Sequence, residues 1–224
     1  MDIKNLRPAK EFALQYGFKA IIFGPPGSGK TPISNTAPRP VMLATEPGLL
    51  SMRGSNVPTW LAPTPEKINE FFDWFFNSNE VKNFDTIVID SISQMAEVYL
   101  QSALASNKHG LKAYGEMATE TIKQLRKLYF TQQKHTYLIA KEEKLEESGI
   151  QIRRPYMPGK QLPIELPHMY DAVLHLAIQN VPGMGQIKAF RCQGSMDVIA
   201  RDRTGSLAEF EPPDFGALVR KAMS

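Results

Sequence analysis

The chain is 224 residues long, 42% hydrophobic and 22% charged, with a net charge of +3; that suffices to bury a core as one domain, and so balanced a charge permits a polyanionic partner without demanding one. No apolar run approaches the roughly 18 residues of a membrane span, which excludes a membrane protein and leaves a soluble one. Cys192 is the only cysteine, so an internal disulfide is excluded, and a start without a basic-then-apolar leader points to the cytoplasm.

The first apolar run, residues 20–23, is short, β-rich and unalternated, as a parallel strand buried on both faces should be. It runs into Gly24, Pro25, Pro26, Gly27, Ser28, Gly29, Lys30 and Thr31, which fit G-x-x-x-x-G-K-[ST] between a strand and a helix, the context a phosphate-binding loop requires. The glycines let backbone N–H groups converge on phosphate oxygens, Lys30 neutralises the β- and γ-phosphates, and Thr31 offers its hydroxyl to Mg²⁺. Pro32 is tolerated because the first helical turn has no partner for the N–H it lacks.

A second strand at 41–44 leads through Thr45 to Glu46, a carboxylate at the same edge of the sheet. Arg53 beyond it is a candidate to stack on adenine. Residues 65–76 repeat apolar positions at three- and four-residue spacings, so they predict a helix, with Trp60, Trp74 and the neighbouring phenylalanines packing on the sheet. The strand at 86–89 ends in Asp90, at the carboxyl edge where ligands of α/β folds sit, and Asp90 is the candidate metal carboxylate. Ser91 follows it, so the strand lacks an Asp-Glu pair and the general base must come from elsewhere. Glu46 is assigned to water activation, with Glu142 or Glu143 as rivals.

Helical periodicity returns at 91–106 and 114–131, and a fourth buried strand at 137–140 leads to Lys141 and Glu142, where a γ-phosphate sensor would sit. The last third predicts strands at 172–178, 186–192 and 196–200, the first two joined by a turn at 182–185, which adds antiparallel strands to the sheet. Arg201 and Arg203 at a strand end could reach one phosphate together, in cis or from a neighbouring subunit. The only Asn-Lys pair, Asn107-Lys108, continues as His109-Gly110 with no Asp, which argues against a guanine site. A small-molecule kinase remains open.

These residues resemble the RecA-like recombinase core, in particular the short phage ATPases linked to single-strand annealing and recombination, over about residues 18–221. The resemblance implies an α/β RecA-like P-loop NTPase: a mostly parallel central sheet flanked by helices, with antiparallel strands near the C-terminus. Residues 1–17 would be a short N-terminal segment and 18–224 the ATPase core. Thr45-Glu46-Pro47-Gly48 matches the strand end that carries the catalytic glutamate, and Asp90-Ser91 matches the family's metal-binding strand end. By the same correspondence a first DNA-binding loop lies around 105–114 with Lys108 and Lys112, and a second at 144–161 with Arg153, Arg154 and Lys160. Arg201-Asp202-Arg203 has the spacing of a pair that reaches the ATP of an adjacent subunit. The γ-phosphate-sensing glutamine is not evident, and Lys141 or Glu142 stands in its region.

The expectation is therefore an enzyme that binds ATP and Mg²⁺ and hydrolyses ATP while acting on single-stranded DNA in phage-type homologous recombination or strand annealing. Its partners would be copies of itself sharing nucleotide at subunit interfaces and a single-stranded DNA-binding protein, in the host cytoplasm if phage-encoded. A nucleotide-switched accessory ATPase of the helicase-loader type is the alternative, and a small-molecule or nucleotide kinase a more distant one.

Overall fold

The computed structural model describes residues 6–106 and 109–224. A short helix α1 (Ala9–Ala13) precedes the four apolar runs, which become β1 (Lys19–Phe23), β2 (Pro40–Ala44), β4 (Thr86–Asp90) and the first part of β5 (His135–Glu147). With β3 (Thr59–Leu61), β6 (Ile150–Tyr156), β7 (Ala172–Val181), β8 (Gly185–Arg191), β9 (Arg201–Asp202) and β10 (Phe210–Glu211) they build one sheet ordered β3-β2-β4-β5-β1-β7-β8-β10. From β3 to β7 every neighbour is parallel. β8, β9 and β10 add on antiparallel, so the expected mixed sheet is what forms.

The strands are unalternated because successive side chains enter two cores. Ile21 and Phe23 pack on one face, beneath α3 (Pro65–Asn77), α4 (Ile92–Ser106), α5 (Gly110–Tyr129) and α6 (Leu162–Met169). Ala20 and Ile22 pack on the other, against Ile33 of α2 (Lys30–Ile33) and Phe215 of α7 (Phe215–Ala222). Thr64 caps α3 by accepting from the Lys67 N–H at 3.4 Å, with Pro65 in the first turn. Its Phe71, Phe72 and Phe75 are buried on the sheet as the spacing requires, and Trp60 and Trp74 pack against that cluster. Among the described residues no helix is long and apolar enough to cross a membrane.

Three segments differ from expectation. The first predicted DNA loop is mostly helical, because α4 runs to Ser106 and α5 already starts at Gly110; Lys108 lies outside the described residues. The second is a hairpin: β5 continues past the sheet to Glu147, turns at Ser148 and Gly149, both at positive φ, and returns as β6 with Lys141 opposite Tyr156. Residues 196–200 form no strand of their own. Their backbone is instead used by β6, with the Arg153 N–H donating to Asp197 and the Ile199 N–H to Arg153.

Candidate nucleotide-binding site

The phosphate loop leaves β1 between β5 and β7, at the carboxyl edge of the parallel strands. Gly24 is pressed so closely on β7 that an added Cβ would stand 2.1 Å from the Leu176 carbonyl oxygen. Gly29 caps α2 with φ at 88°, a backbone shape that glycine adopts freely. Below it, the hydroxyl of buried Tyr137 donates to the Lys30 carbonyl at 2.7 Å, tying the start of α2 to β5. The Lys30 ammonium folds back over its own loop, donating to Gly24 O at 2.7 Å and Pro25 O at 3.0 Å. Burial holds that ammonium below its ordinary value, while the negative charges of Asp90 and Glu142 oppose the shift.

α2 is one turn long, followed by a 3-10 turn (Ser34–Thr36) that stops at Ala37, extended at ψ 146°. Pro38 is the cause, since a residue before proline is driven out of the helical region. So short a helix has little macrodipole, which leaves the loop backbone N–H groups and Lys30 as the groups that could attract a phosphate.

Across the end of β5, the Thr31 hydroxyl donates to Asp90 Oδ2 at 2.7 Å, joining the loop to β4. Burial pushes the Asp90 carboxyl above its usual range; the Thr31 hydrogen bond opposes this, nearby Glu46 adds to it, and Lys30 opposes it. Thr45 fixes the neighbouring strand end, its hydroxyl accepting from the Ser91 N–H at 3.2 Å, and Glu46 follows with an exposed side chain. Glu46 therefore stands open to water beside Asp90.

The rival carboxylates are engaged. Glu142 Oε2 lies 2.8 Å from His175 Nε2, and the two side chains are only 6% and 5% exposed. A carboxylate accepts only, so Nε2 carries the proton; Gln179 Nε2 lies 3.3 Å from Nδ1 and completes a neutral imidazole. Burial lowers the His175 pKa even though Glu142 works to raise it. Glu143 pairs with Arg154 at 2.7 Å. Lys141 turns away to α4, meeting Glu97 at 2.7 Å and Gln94 at 2.9 Å. His175 and Gln179 went unrecognised in the sequence; a histidine inside an apolar strand was the one visible signal.

The remaining candidates spread out. Arg53 is exposed past the turn whose Met52 sulfur meets Asn35 beside α2. Lys112 and Lys160 are exposed, Lys112 at 3.8 Å from Glu116, and Arg153 is paired with Asp197. Arg201 and Arg203 lie at the opposite end of β7 from the phosphate loop. β9 runs antiparallel to β7, away from the loop, and Arg201 donates to the Pro167 and Tyr170 carbonyls and Arg203 to that of His168. Those oxygens belong to the C-terminal end of α6, which leaves carbonyls unsatisfied and a partial negative charge that guanidinium groups neutralise.

A family model described as an AAA domain matches residues 17–204. No curated protein matches the sequence. Among solved structures, an ATPase from the type III secretion system of pathogenic bacteria is 13% identical over 86% of this chain, with a TM-score of 0.50. This chain covers 61% of that structure, so it spans about three fifths of its length, and the likeness is one of fold. A KaiC-like protein from the hyperthermophilic archaeon Pyrococcus horikoshii is 15% identical over 79% of this chain and 77% of its own, with a TM-score of 0.43.

Proposed function

We propose, on the premise that this chain belongs to the AAA domain family, that it is a RecA-like P-loop ATPase which binds ATP through residues 24–31 and hydrolyses it with Glu46. The observation that carries the reading is the 2.7 Å bond from Thr31 to Asp90, with Glu46 open beside it. Lys30 would exchange the Gly24 and Pro25 carbonyls for β- and γ-phosphate oxygens, and the loop N–H groups would hold the rest of the chain of phosphates. Thr31 and Asp90 present the two hard oxygen donors that suit Mg²⁺ beside phosphate and water oxygens, and the ion would neutralise charge on the phosphates. Glu46 would take the proton of the attacking water.

Binding and turnover of ATP in three variants test this. Lys30→Ala should lose binding. Asp90→Asn should lose the magnesium dependence. Glu46→Gln should bind normally and turn over about 10²–10³-fold more slowly. Undiminished turnover in Glu46→Gln would overturn the assignment.

For the work done by hydrolysis, the reading is ATP-dependent binding of single-stranded DNA for annealing or strand exchange. What supports it is a juxtaposition: exposed Tyr114 lies against Gly159, beside Lys160, so an aromatic face and a cation share one cleft, as base stacking requires. A nucleotide-switched accessory ATPase is favoured by another observation, that the arginines of the β5–β6 hairpin are neutralised by Glu143 and Asp197. Titrating labelled single-stranded DNA with and without ATP across a salt series separates the two. Binding that weakens with salt and needs ATP supports the DNA reading; absent binding supports the accessory one. A phosphorylated acceptor in place of free phosphate would mark a kinase. That Arg201 and Arg203 are engaged on α6 supports a hydrolysis completed within one chain, without those two arginines from a neighbouring copy.

A further inference from the structure

We infer that Lys188 is a second phosphate-binding lysine of the nucleotide site, supplied in cis by the β7–β8 hairpin. The inference rests on the nucleotide reading above and adds a residue outside its motif. β1 ends with Phe23 opposite His175, but β7 continues to Val181 and β8 returns beside it, so the hairpin rises past the sheet edge where the phosphate loop lies. Lys188 is paired with Ile178, in this overhanging part. At about 3.4 Å per residue, that puts it roughly 10 Å beyond the end of β1.

Three features aim its side chain at the loop. Residues two apart on a strand share a face, and Phe190 packs in the core that holds Ile33 of α2 and Leu176. Lys188 continues that face outward. Gly24, pressed on the Leu176 carbonyl, fixes the hairpin to the loop, so the placement comes from sheet register. The Lys188 ammonium itself lies 3.1 Å from the point where a Cβ on Gly29 would stand.

Its electrostatic setting calls for an anion. A loop of this motif offers backbone N–H groups to an anion, and Lys188 adds a full charge beside it. Among the described residues no hydrogen bond or ion pair holds its ammonium, whereas Arg191 on the same strand is paired with Glu209 and lies over Phe210. A polyphosphate chain in the loop would satisfy both lysines at once, through charge-assisted contacts. Contact with the phosphates implies selectivity for their number.

The test is the dissociation constant of ATP, ADP and AMP, by displacement of a fluorescent nucleotide with magnesium present. The proteins are the wild type, Lys188→Ala, Lys188→Arg and Lys30→Ala, with Lys123→Ala as a remote charge control and thermal melts of each. Lys188→Ala should weaken ATP and ADP about tenfold and AMP less than about twofold. Lys188→Arg should recover most of the loss, with the melting temperature unchanged. Wild-type ATP affinity in Lys188→Ala, while Lys30→Ala has lost it, would overturn this inference and leave the nucleotide reading standing. Equal weakening of all three nucleotides would also overturn it, because the contact would not be with the phosphates. A wild-type protein whose ATP affinity is nil would remove the nucleotide reading and this inference together.

Discussion

At single residues, what separates equivalent side chains is whether they are enclosed. Glu46 and Glu142 both follow a parallel strand to the same edge, yet Glu46 is exposed while Glu142 is sealed against His175 with 6% of its side chain accessible. A base must reach a water, so in the proposed reaction Glu46 is the base and Glu142 a structural partner of His175. Glu142→Ala should leave the buried His175 N–H without an acceptor and cost about 1–3 kcal/mol, read from the denaturant midpoint. Its turnover should fall far less than that of Glu46→Gln. Equal losses of turnover in the two variants would show that the enclosed pair takes part in the chemistry.

At the scale of elements, close approaches hold the site in register. Gly24→Ala would force the loop off β7, since the new Cβ meets a backbone carbonyl at 2.1 Å; nucleotide binding should be lost and the melting temperature should drop. On the opposite side of the sheet, the fully buried Lys19 closes the end of α5, its ammonium donating to Leu128, Thr131 and Lys134 carbonyls at 3.2, 3.0 and 2.7 Å. Burial lowers its pKa to about 7, which Asp171 resists and Lys134 reinforces. The folded state therefore releases this proton more readily than the unfolded chain, whose lysine keeps its ordinary value of 10.5. The contribution of Lys19 is full above that upper value and is lost as pH falls toward about 7, by at most ~1.4 kcal/mol per pH unit. Urea unfolding of wild type and Lys19→Met across this window should show a stability difference that widens in favour of the wild type as pH rises. A constant difference would mean that Lys19 stays charged throughout. α6 supplies a parallel case: Arg201→Ala with Arg203→Ala should lower stability by about 1–3 kcal/mol through the freed helix carbonyls and leave ATP turnover intact.

For the whole molecule, the sheet order puts the loop, Asp90, Glu46 and two hairpins at one edge of a single chain, which predicts that turnover per subunit is constant on dilution. A rate per subunit that climbs with concentration would show that a neighbouring copy completes the site. Strands β1, β2, β4, the first part of β5, β7 and β8, helices α3, α4 and α5, and the phosphate loop were legible in the sequence, because burial on both faces, three- and four-residue periodicity and a strand–loop–helix motif are local patterns, whereas α6 and the short or overhanging strands β3, β6, β9 and β10 were not. So was the carboxyl-edge position of Glu46 and Asp90, since each directly follows a strand. The partners of charged side chains were not legible. Arg153, Arg154, Arg201 and Arg203 read as free cations, but Asp197, Glu143 and the end of α6 meet them only once distant segments pack. The second predicted loop became a hairpin for a related reason: 197–199 bond to β6 across a long stretch of chain. Sequence alone thus determined the class of site and its motif residues, which depend on neighbours in the chain. Only the tertiary structure decided which charges remain available to a ligand, because neutralisation and burial are set by contacts between residues far apart in sequence. By that criterion Lys188, unremarkable in the sequence, stands over the loop, and the conspicuous arginines do not.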